Sequence, residues 1–261
     1  MMSLATCTNT LYVNTKRRFL GWCIHAFTAS GACFGLLALY AIYQQNLYAA
    51  CWFMAITIVI DAVDGLLARM VNIKEVVPEI DGALLDNIVD FVNYVIVPGF
   101  FLVTSDLLLD NWRWVAVMLM VFSSTYQFTQ TDAKTEDHFF KGFPSYWNIV
   151  AFYLFCWQLA PAYNVSILIM LSTLSFVPIK YVYPSRLDHL THNKYLRFAM
   201  LCLTLLWGLA TSGLLWLYPV SNTVLVVISL GYVIFYTAVS LYRTWVPLKR
   251  RESNEAAIRT R

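Results

Sequence analysis

The sequence predicts an all-α protein that crosses a membrane several times. Of its 261 residues, 59% are hydrophobic and 13% are charged, which is too apolar for a water-soluble domain of this length. The apolar residues fall in segments of roughly twenty residues, and a helix of that length crosses a hydrocarbon core of about 30 Å. Four aspartates lie within two of these segments: Asp61, Asp64, Asp86 and Asp90. Function is expected there, because ionisable residues in membrane helices are costly.

Eight segments qualify as membrane helices. They lie near residues 20–43, 48–69, 83–105, 114–131, 145–160, 163–179, 198–217 and 223–243. The fifth and sixth are short for a crossing, and the stretch from 145 to 179 can also be divided differently. We predict a single membrane-embedded domain over residues 1–261, with a segment over 1–19 ahead of the first helix and a polar tail over 247–261.

Basic residues predict the orientation of these helices. An even number of crossings places both termini on one side, and lysines and arginines flank the first and last helices there, at 16–18 and 249–251. Others lie in or beside loops on that same side: Lys74, Lys134, Lys141, Lys180, Arg186, Lys194 and Arg197. Arg113 alone lies in an opposite-side loop. The positive-inside rule therefore puts the termini and the 70–82, 132–144 and 180–197 loops in the cytoplasm.

The four aspartates stand at helical spacing. Asp61 and Asp64 are three residues apart, while Gly82, Asp86 and Asp90 follow one another at intervals of four. Each group therefore projects from one face of its helix. Two such faces brought together make an oxygen-rich cluster that needs cations, and hard divalent metals suit it. The glycines in the pattern would let a second helix or a phosphate ligand approach the backbone closely.

This pattern resembles the signature of the CDP-alcohol phosphotransferases, membrane enzymes that move a phosphoalcohol or phosphatidyl group from a CDP-linked donor to an alcohol. The matching residues are Asp61, Asp64, Gly65, Ala68, Arg69, Gly82, Asp86 and Asp90. Twelve residues, Met70 to Asp81, separate Arg69 from Gly82, where the usual family form has eight. The longer gap is similar to the branch of the family that condenses CDP-diacylglycerol with choline. The resemblance also implies the family fold, with an N-terminal segment lying along the membrane interface.

The resemblance implies a two-metal site that uses Mn²⁺ or Mg²⁺. Asp61 and Asp86 would bridge the metals, Asp64 would complete one, and Asp90 would ligate the other and act as general base toward the acceptor hydroxyl. The residues alone indicate that one carboxylate must be spared as base, without selecting it. The implied contacts to CDP-diacylglycerol are Gly65, Arg69, Thr28, Ala68, Gly82 and His25.

Two of these donor contacts can also be interpreted from their chemistry or position alone. Arg69 suits phosphate because its planar guanidinium offers two parallel hydrogen bonds. His25 stands where the family usually has asparagine, and an interfacial polar residue capping the start of the first helix is the alternative interpretation.

Aromatic residues are the candidates for an acceptor site. Choline carries a quaternary ammonium with no hydrogen to donate, so a site for it must use aromatic faces, to which a carboxylate can be added. Tyr146 and Trp147 follow Pro144 at the start of the fifth helix, where serine-specific members of the family carry small residues. Tyr94 lies one turn beyond Asp90 on the same stripe. An ordinary interfacial aromatic belt explains Tyr146 and Trp147 equally well.

The resemblance, together with the bias of basic residues, implies an enzyme of the bacterial inner membrane whose active site lies on the cytoplasmic side. It would transfer a phosphatidyl group from CDP-diacylglycerol to choline, giving phosphatidylcholine and CMP. The expected partners are both substrates, membrane lipids and a second copy in a homodimer, but not nucleic acid.

Two alternatives remain open at this point. The acceptor could instead be serine, inositol phosphate or glycerol phosphate, although a phosphorylated acceptor needs a basic pocket and the helices offer only Arg69 beside the aspartates. More remote is a divalent-cation transporter that uses the aspartates as an ion path. That reading leaves Gly65, Ala68, Arg69 and Gly82 unexplained.

Overall fold

Helices make up nearly all of the structure. A computed structural model describes residues 15–131, 139–182 and 193–246. The α-helices of that part are α1 (Thr15–Tyr43), α2 (Leu47–Val71), α3 (Ile73–Val76), α4 (Gly82–Phe91), α5 (Val97–Thr104), α6 (Asp110–Thr129), α7 (Trp147–Trp157), α8 (Pro161–Leu174), α9 (Lys194–Leu217) and α10 (Thr223–Trp245). A π-helical segment, Val92–Ile96, joins α4 to α5, and the strands β1 (Phe140–Lys141) and β2 (Lys180–Tyr181) have two residues each. The predicted all-α class is confirmed.

Helices occupy all eight predicted places, with different lengths. By length and composition, α1, α2, the run Gly82–Thr104, α9 and α10 can each cross a membrane. The shorter α7 and α8 have 11 and 14 residues, or about 16 and 21 Å at the α-helical rise. The 20 residues of α6 include polar residues at both ends. That α6, α7 and α8 each cross the membrane stays a prediction, and the predicted parts of the chain at 1–14 and 247–261 lie outside the described residues.

Asparagine and aspartate side chains begin several of these helices. The Asn46 side chain accepts a hydrogen bond from a first-turn amide of α2 at 3.0 Å. Asp81 accepts from two amides of the first turn of α4, each at 3.1 Å. Asn193 and Asn222 do the same for α9 and α10. Such caps satisfy amides that have no partner within the helix, and Asp81 thereby fixes the start of the helix that carries Asp86 and Asp90.

The chain divides into two compact units, Met1–Phe122 with Ser145–Ile169 and Ser123–Pro144 with Met170–Arg261. In the first unit, α1 and α2 form a hairpin through residues 44–46, and α1 also packs on α4 and α5 while α5 packs on α7. That the whole chain is one domain stays a prediction.

The second unit contains the two strands, where the sequence predicted only loops. Phe140 pairs with Tyr181 and Lys141 with Lys180, antiparallel. Hydrogen bonds join the β2 strand and the residue after it to α10: the amide of Lys180 donates to the Thr244 hydroxyl at 2.8 Å, and the amide of Val182 donates to the Ser240 hydroxyl at 3.2 Å. Strands of two residues are too short to show the alternating pattern by which strands are predicted.

The long connection between α2 and α4 is folded against α1. A Cβ atom added to Gly21 of α1 would lie 2.6 Å from a methyl group of Val77, so only glycine permits this approach. Ile73, Val76 and Val77 are buried in the contact. Nearby, Arg18 forms an ion pair with Glu79. The twelve-residue connection is therefore an ordered element of the first unit.

The α4–α5 run is interrupted, which corrects the prediction of one continuous α-helix over 83–105. The Val97 amide donates to the carbonyl of Val92, five residues back. Pro98 supplies the physical reason, since proline has no N–H and its ring clashes with the carbonyl four residues earlier, that of Tyr94.

Candidate active site

Three carboxylates converge in the first unit. Asp61 lies in the C-terminal half of α2, while Asp86 and Asp90 lie one turn apart on α4. Each offers one oxygen, and these three oxygens lie within 4.8 Å of one another. All three residues are half-buried. Carboxylates so close together repel one another, and a cation between them offsets that repulsion.

The cluster fits a hard divalent cation. Oxygen ligands lie about 2.0–2.6 Å from Mg²⁺ or Ca²⁺, so ligands on opposite sides of one ion are about 4–5 Å apart. The three carboxylate oxygens fall within that span. Carboxylate is also the ligand type that suits Mg²⁺ and Mn²⁺. Asp61, Asp86 and Asp90 could therefore hold such an ion together.

Asp64 lies one turn beyond Asp61, outside this group of three. It is buried, at 4% exposure, and it interacts with Thr28 of α1, with Asp86 and with Arg69. The sequence predicted four aspartates at one centre, whereas the structure gathers three and holds the fourth against α1. The role of Asp64 as a metal ligand stays a prediction.

His25 and Gly82 meet where α1 packs on the start of α4. A Cβ atom added to Gly82 would lie 3.0 Å from His25 Cε1, so glycine lets the imidazole rest against the helix. His25 is 7% exposed, and its Nε2 atom has no hydrogen-bond partner among the described residues. A buried polar atom without a partner is unfavourable. A polar group of a ligand would relieve that cost.

Arg69 lies over the backbone of Gly65 near the end of α2. A Cβ atom added to Gly65 would be 3.3 Å from Arg69 Nη1, and Arg69 is exposed. Ala68 is half-buried, and its carbonyl accepts from the amide of Asn72, the left-handed residue that ends α2. Glycine at position 65 thus lets a guanidinium that can bind phosphate lie close to the α2 backbone.

Tyr94 and Tyr146 lie on another side of the carboxylates. The Tyr94 hydroxyl donates to Asp61 Oδ2 at 2.8 Å, and its ring centroid is 6.3 Å from that of Tyr146. Tyr94 is buried and Tyr146 is half-buried. Trp147, at the first position of α7, is fully buried at 0% exposure. The structure thus brings Tyr94 to Asp61 and Tyr146 to Tyr94, whereas the Trp147 indole packs in the interior.

Three buried polar residues near these groups escaped the sequence analysis. Asn93 lies in the π segment with its Oδ1 atom unpaired among the described residues. Ser145 and Asn148 flank Tyr146 and Trp147, and Ser145 Oγ and Asn148 Nδ2 are likewise buried without partners in that part of the chain. A polar side chain within an apolar helix is a functional signal in its own right, and it could have identified Asn93.

The fold and site define a class of protein, a polytopic membrane protein with a carboxylate centre suited to a divalent cation and to phosphate. Comparison with known proteins gives the family. Residues 25–179 match the family model described as CDP-alcohol phosphatidyltransferase, a range that contains every predicted site residue from His25 to Trp147. The chain belongs to the CDP-alcohol phosphatidyltransferase family, as the aspartate pattern predicted.

Curated relatives extend over most of the chain. A phosphatidylcholine synthase of Legionella pneumophila is 50% identical over 231 residues, covering 88% of this chain and 91% of the relative. A phosphatidylcholine synthase of Legionella bozemanae is 50% identical over 217 residues, covering 83% and 100%. One of Borreliella burgdorferi is 33% identical over 226 residues, covering 87% and 95%.

Proposed function

We propose that this chain is a phosphatidyltransferase that moves the phosphatidyl group of CDP-diacylglycerol to choline and releases CMP. The observation that carries the proposal is the group of three carboxylates within 4.8 Å of one another, with Tyr94 bonded to one of them. The acceptor is supported by the relatives, which are named phosphatidylcholine synthases at up to 50% identity.

In the proposed reaction, the choline hydroxyl oxygen forms a bond to the phosphatidyl phosphorus. The bond from that phosphorus to the CMP oxygen breaks, and CMP leaves with the electron pair. Asp90 takes the proton of the attacking hydroxyl, and its place in the carboxylate group supports this role. Asp61, Asp86 and Asp90, with Asp64 beside them, would hold two divalent cations. Bound Mn²⁺ or Mg²⁺ supplies charge neutralisation of the diphosphate.

The donor is proposed to bind along α1 and the end of α2. Arg69 would bind a phosphate oxygen beside Gly65, and Ala68 belongs to the same turn. His25 and Thr28 would contact the CDP part, since the unpaired Nε2 atom of His25 can accept or donate a hydrogen bond. The close contact of His25 with Gly82 supports a site that includes the start of α4.

Choline is proposed to lie against the ring of Tyr146, which Tyr94 supports from behind. Trp147 would act from beneath this site, because its side chain is fully buried. An aromatic face attracts a quaternary ammonium without needing a hydrogen bond from it. Such a site accounts for a preference over ethanolamine, whose ammonium loses hydrogen bonds to water on entry.

A phosphorylated acceptor is the less supported alternative. It would need cations besides the one expected to bind the donor, yet Arg18 is paired with Glu79. Arg113 contacts Asp110 at 2.7 Å and Asp106 at 3.8 Å. Arg69 is the guanidinium that lies beside Asp64. An uncharged headgroup precursor or a simple cation suits this distribution better than an anion.

The proposal places the active site at the cytoplasmic face of a bacterial inner membrane. Its support is the bias of lysine and arginine toward one set of loops, together with the neutralisation of Arg113 by two aspartates. We also propose that the protein forms a homodimer. Accessibility labelling of single cysteines and the mass of the detergent-solubilised protein test these two points.

One assay tests the function. Purified protein receives CDP-diacylglycerol, Mn²⁺ or Mg²⁺, and one labelled alcohol at a time from choline, ethanolamine, serine, inositol phosphate and glycerol phosphate. We expect phosphatidylcholine and equimolar CMP with choline, and none from Asp90→Asn. A phospholipid product formed faster from another alcohol would refute the choice of choline. Metal flux into vesicles without CMP release would instead favour the transporter reading.

A further inference from the structure

We propose that Tyr94 is a positioning residue for the carboxylate centre, because its hydroxyl holds the Asp61 carboxylate in the orientation that binds a divalent cation. The inference rests on the proposed metal centre but not on the identity of the acceptor. It gives Tyr94 a role that differs from the choline contact expected from its sequence position.

The hydrogen bond is well defined. Tyr94 donates to Asp61 Oδ2 at 2.8 Å, within the usual range for O–H···O contacts. A carboxylate has about four lone-pair sites, so one bond from a tyrosine leaves the others for a cation. Hydrogen bonds to ligating carboxylates orient them for metal binding. Asp61 is the single member of the cluster that comes from α2, so its orientation decides whether the two helices form one centre.

Tyr94 is itself held in place by its surroundings. It is 7% exposed, and it lies in the π segment that Pro98 imposes. Its ring lies 6.3 Å from that of Tyr146. A buried tyrosine hydroxyl requires a partner, and here the partner belongs to another helix, 33 residues away in the chain. The π segment therefore has a direct consequence for the site, since it aims Tyr94 at Asp61.

The variant Tyr94→Phe tests this assignment, because it keeps the ring and removes the hydroxyl. Mn²⁺ binding to the purified protein is measured by electron paramagnetic resonance of free Mn²⁺, without choline or CDP-diacylglycerol. We expect Mn²⁺ affinity to fall about 10-fold, the lower end of the effect of losing such a partner. Turnover at limiting Mn²⁺ should fall similarly and recover in part at high Mn²⁺, while the choline KM stays within about twofold of the wild type.

Tyr153→Phe is the matched control, since Tyr153 is also 7% exposed in the same unit and packs its ring on Trp157. It should leave Mn²⁺ affinity unchanged. If Tyr94→Phe binds Mn²⁺ as tightly as the wild type, the assignment is overturned, and a raised choline KM in that case would make Tyr94 a choline contact. A wild-type protein that binds no Mn²⁺ would overturn the metal centre itself, whatever the acceptor proves to be.

Discussion

Gly35→Ala should damage catalysis without touching any proposed site residue. Gly35 lies on α1, and a Cβ atom there would be 2.3 Å from Asn93 Oδ1. To restore an ordinary contact, the Asn93 amide must retreat by about 1 Å, and it is only 2% exposed. Overpacking of this kind costs about 1–3 kcal/mol. Alanine regains roughly 1 kcal/mol of helix propensity over glycine, so the net loss of stability should be about 0–2 kcal/mol.

The variant should lose turnover even where its free energy of unfolding changes little. Asn93 lies between Asp90 and Tyr94 in sequence, and its displacement moves the π segment that carries Tyr94. A misplacement of about 1 Å in an active site can lower the rate about 100-fold. We expect kcat to fall about 10- to 100-fold in Gly35→Ala, with a melting temperature close to that of the wild type.

The assay is CMP release by the purified variant at saturating substrates, with Tm measured on the same sample. Gly208→Ala is the control, since a Cβ atom there meets nothing within 4 Å, and it should keep wild-type kcat. In an Asn93→Ala background, Gly35→Ala should have no further effect, because the obstructing amide is gone. An equal loss in both backgrounds, or wild-type kcat in Gly35→Ala alone, refutes the reasoning.

Three other predictions follow from the site. Exhaustive chelation should abolish turnover and added Mn²⁺ or Mg²⁺ should restore it, because carboxylate oxygens form the centre; activity that survives chelation contradicts this. Asp61→Asn and Asp86→Asn should lose Mn²⁺ binding together with turnover, whereas Asp90→Asn should lose several orders of magnitude in kcat while still binding donor in the presence of metal. A near-normal rate in Asp90→Asn would move the base elsewhere. Tyr146→Ala should raise the choline KM about 2- to 30-fold, because one aromatic face contributes about 0.5–2 kcal/mol to binding of the ammonium. Trp147→Ala should mainly lower Tm, since it leaves a cavity where a fully buried indole was packed. An unchanged choline KM in a stable Tyr146→Ala protein would show that Tyr146 belongs to the interfacial aromatic belt and does not contact choline.

Helical periodicity explains how much of the site could be predicted from sequence. Intervals of four place Asp86 and Asp90 on one face of α4 however the rest of the chain folds. Their meeting with Asp61 followed from the family pattern, which encodes the packing of two helices. The position of Asp64 could not be predicted in this way, because it depends on Thr28, a residue 36 positions earlier on a third helix.

The π segment marks a second limit of the sequence analysis. Spacing alone placed Tyr94 on the stripe of Asp90, and the nearby Pro98 was the available sign that the helix would not stay regular. Its consequence, a hydroxyl aimed at Asp61, depends on the packing around it. Trp147 shows the same limit, because an aromatic residue at a helix start can line a site or fill a core, and only burial distinguishes the two.

One face of α1 helps to position the carboxylate group of Asp61, Asp86 and Asp90, although none of these residues lies on α1. Residues of this face recur at intervals of three, four or seven, and each contacts a different part of the site or a residue that supports it. The contacts are Arg18 with Glu79, Gly21 with Val77, His25 with Gly82, Thr28 with Asp64, and Gly35 with Asn93. Because the glycines admit no side chain at these contacts, α1 sets how closely α4 and the π segment can approach α2. The α1 helix thus determines the spacing of the elements that carry the site. Substitutions along this face should alter catalysis according to the contact that each one breaks.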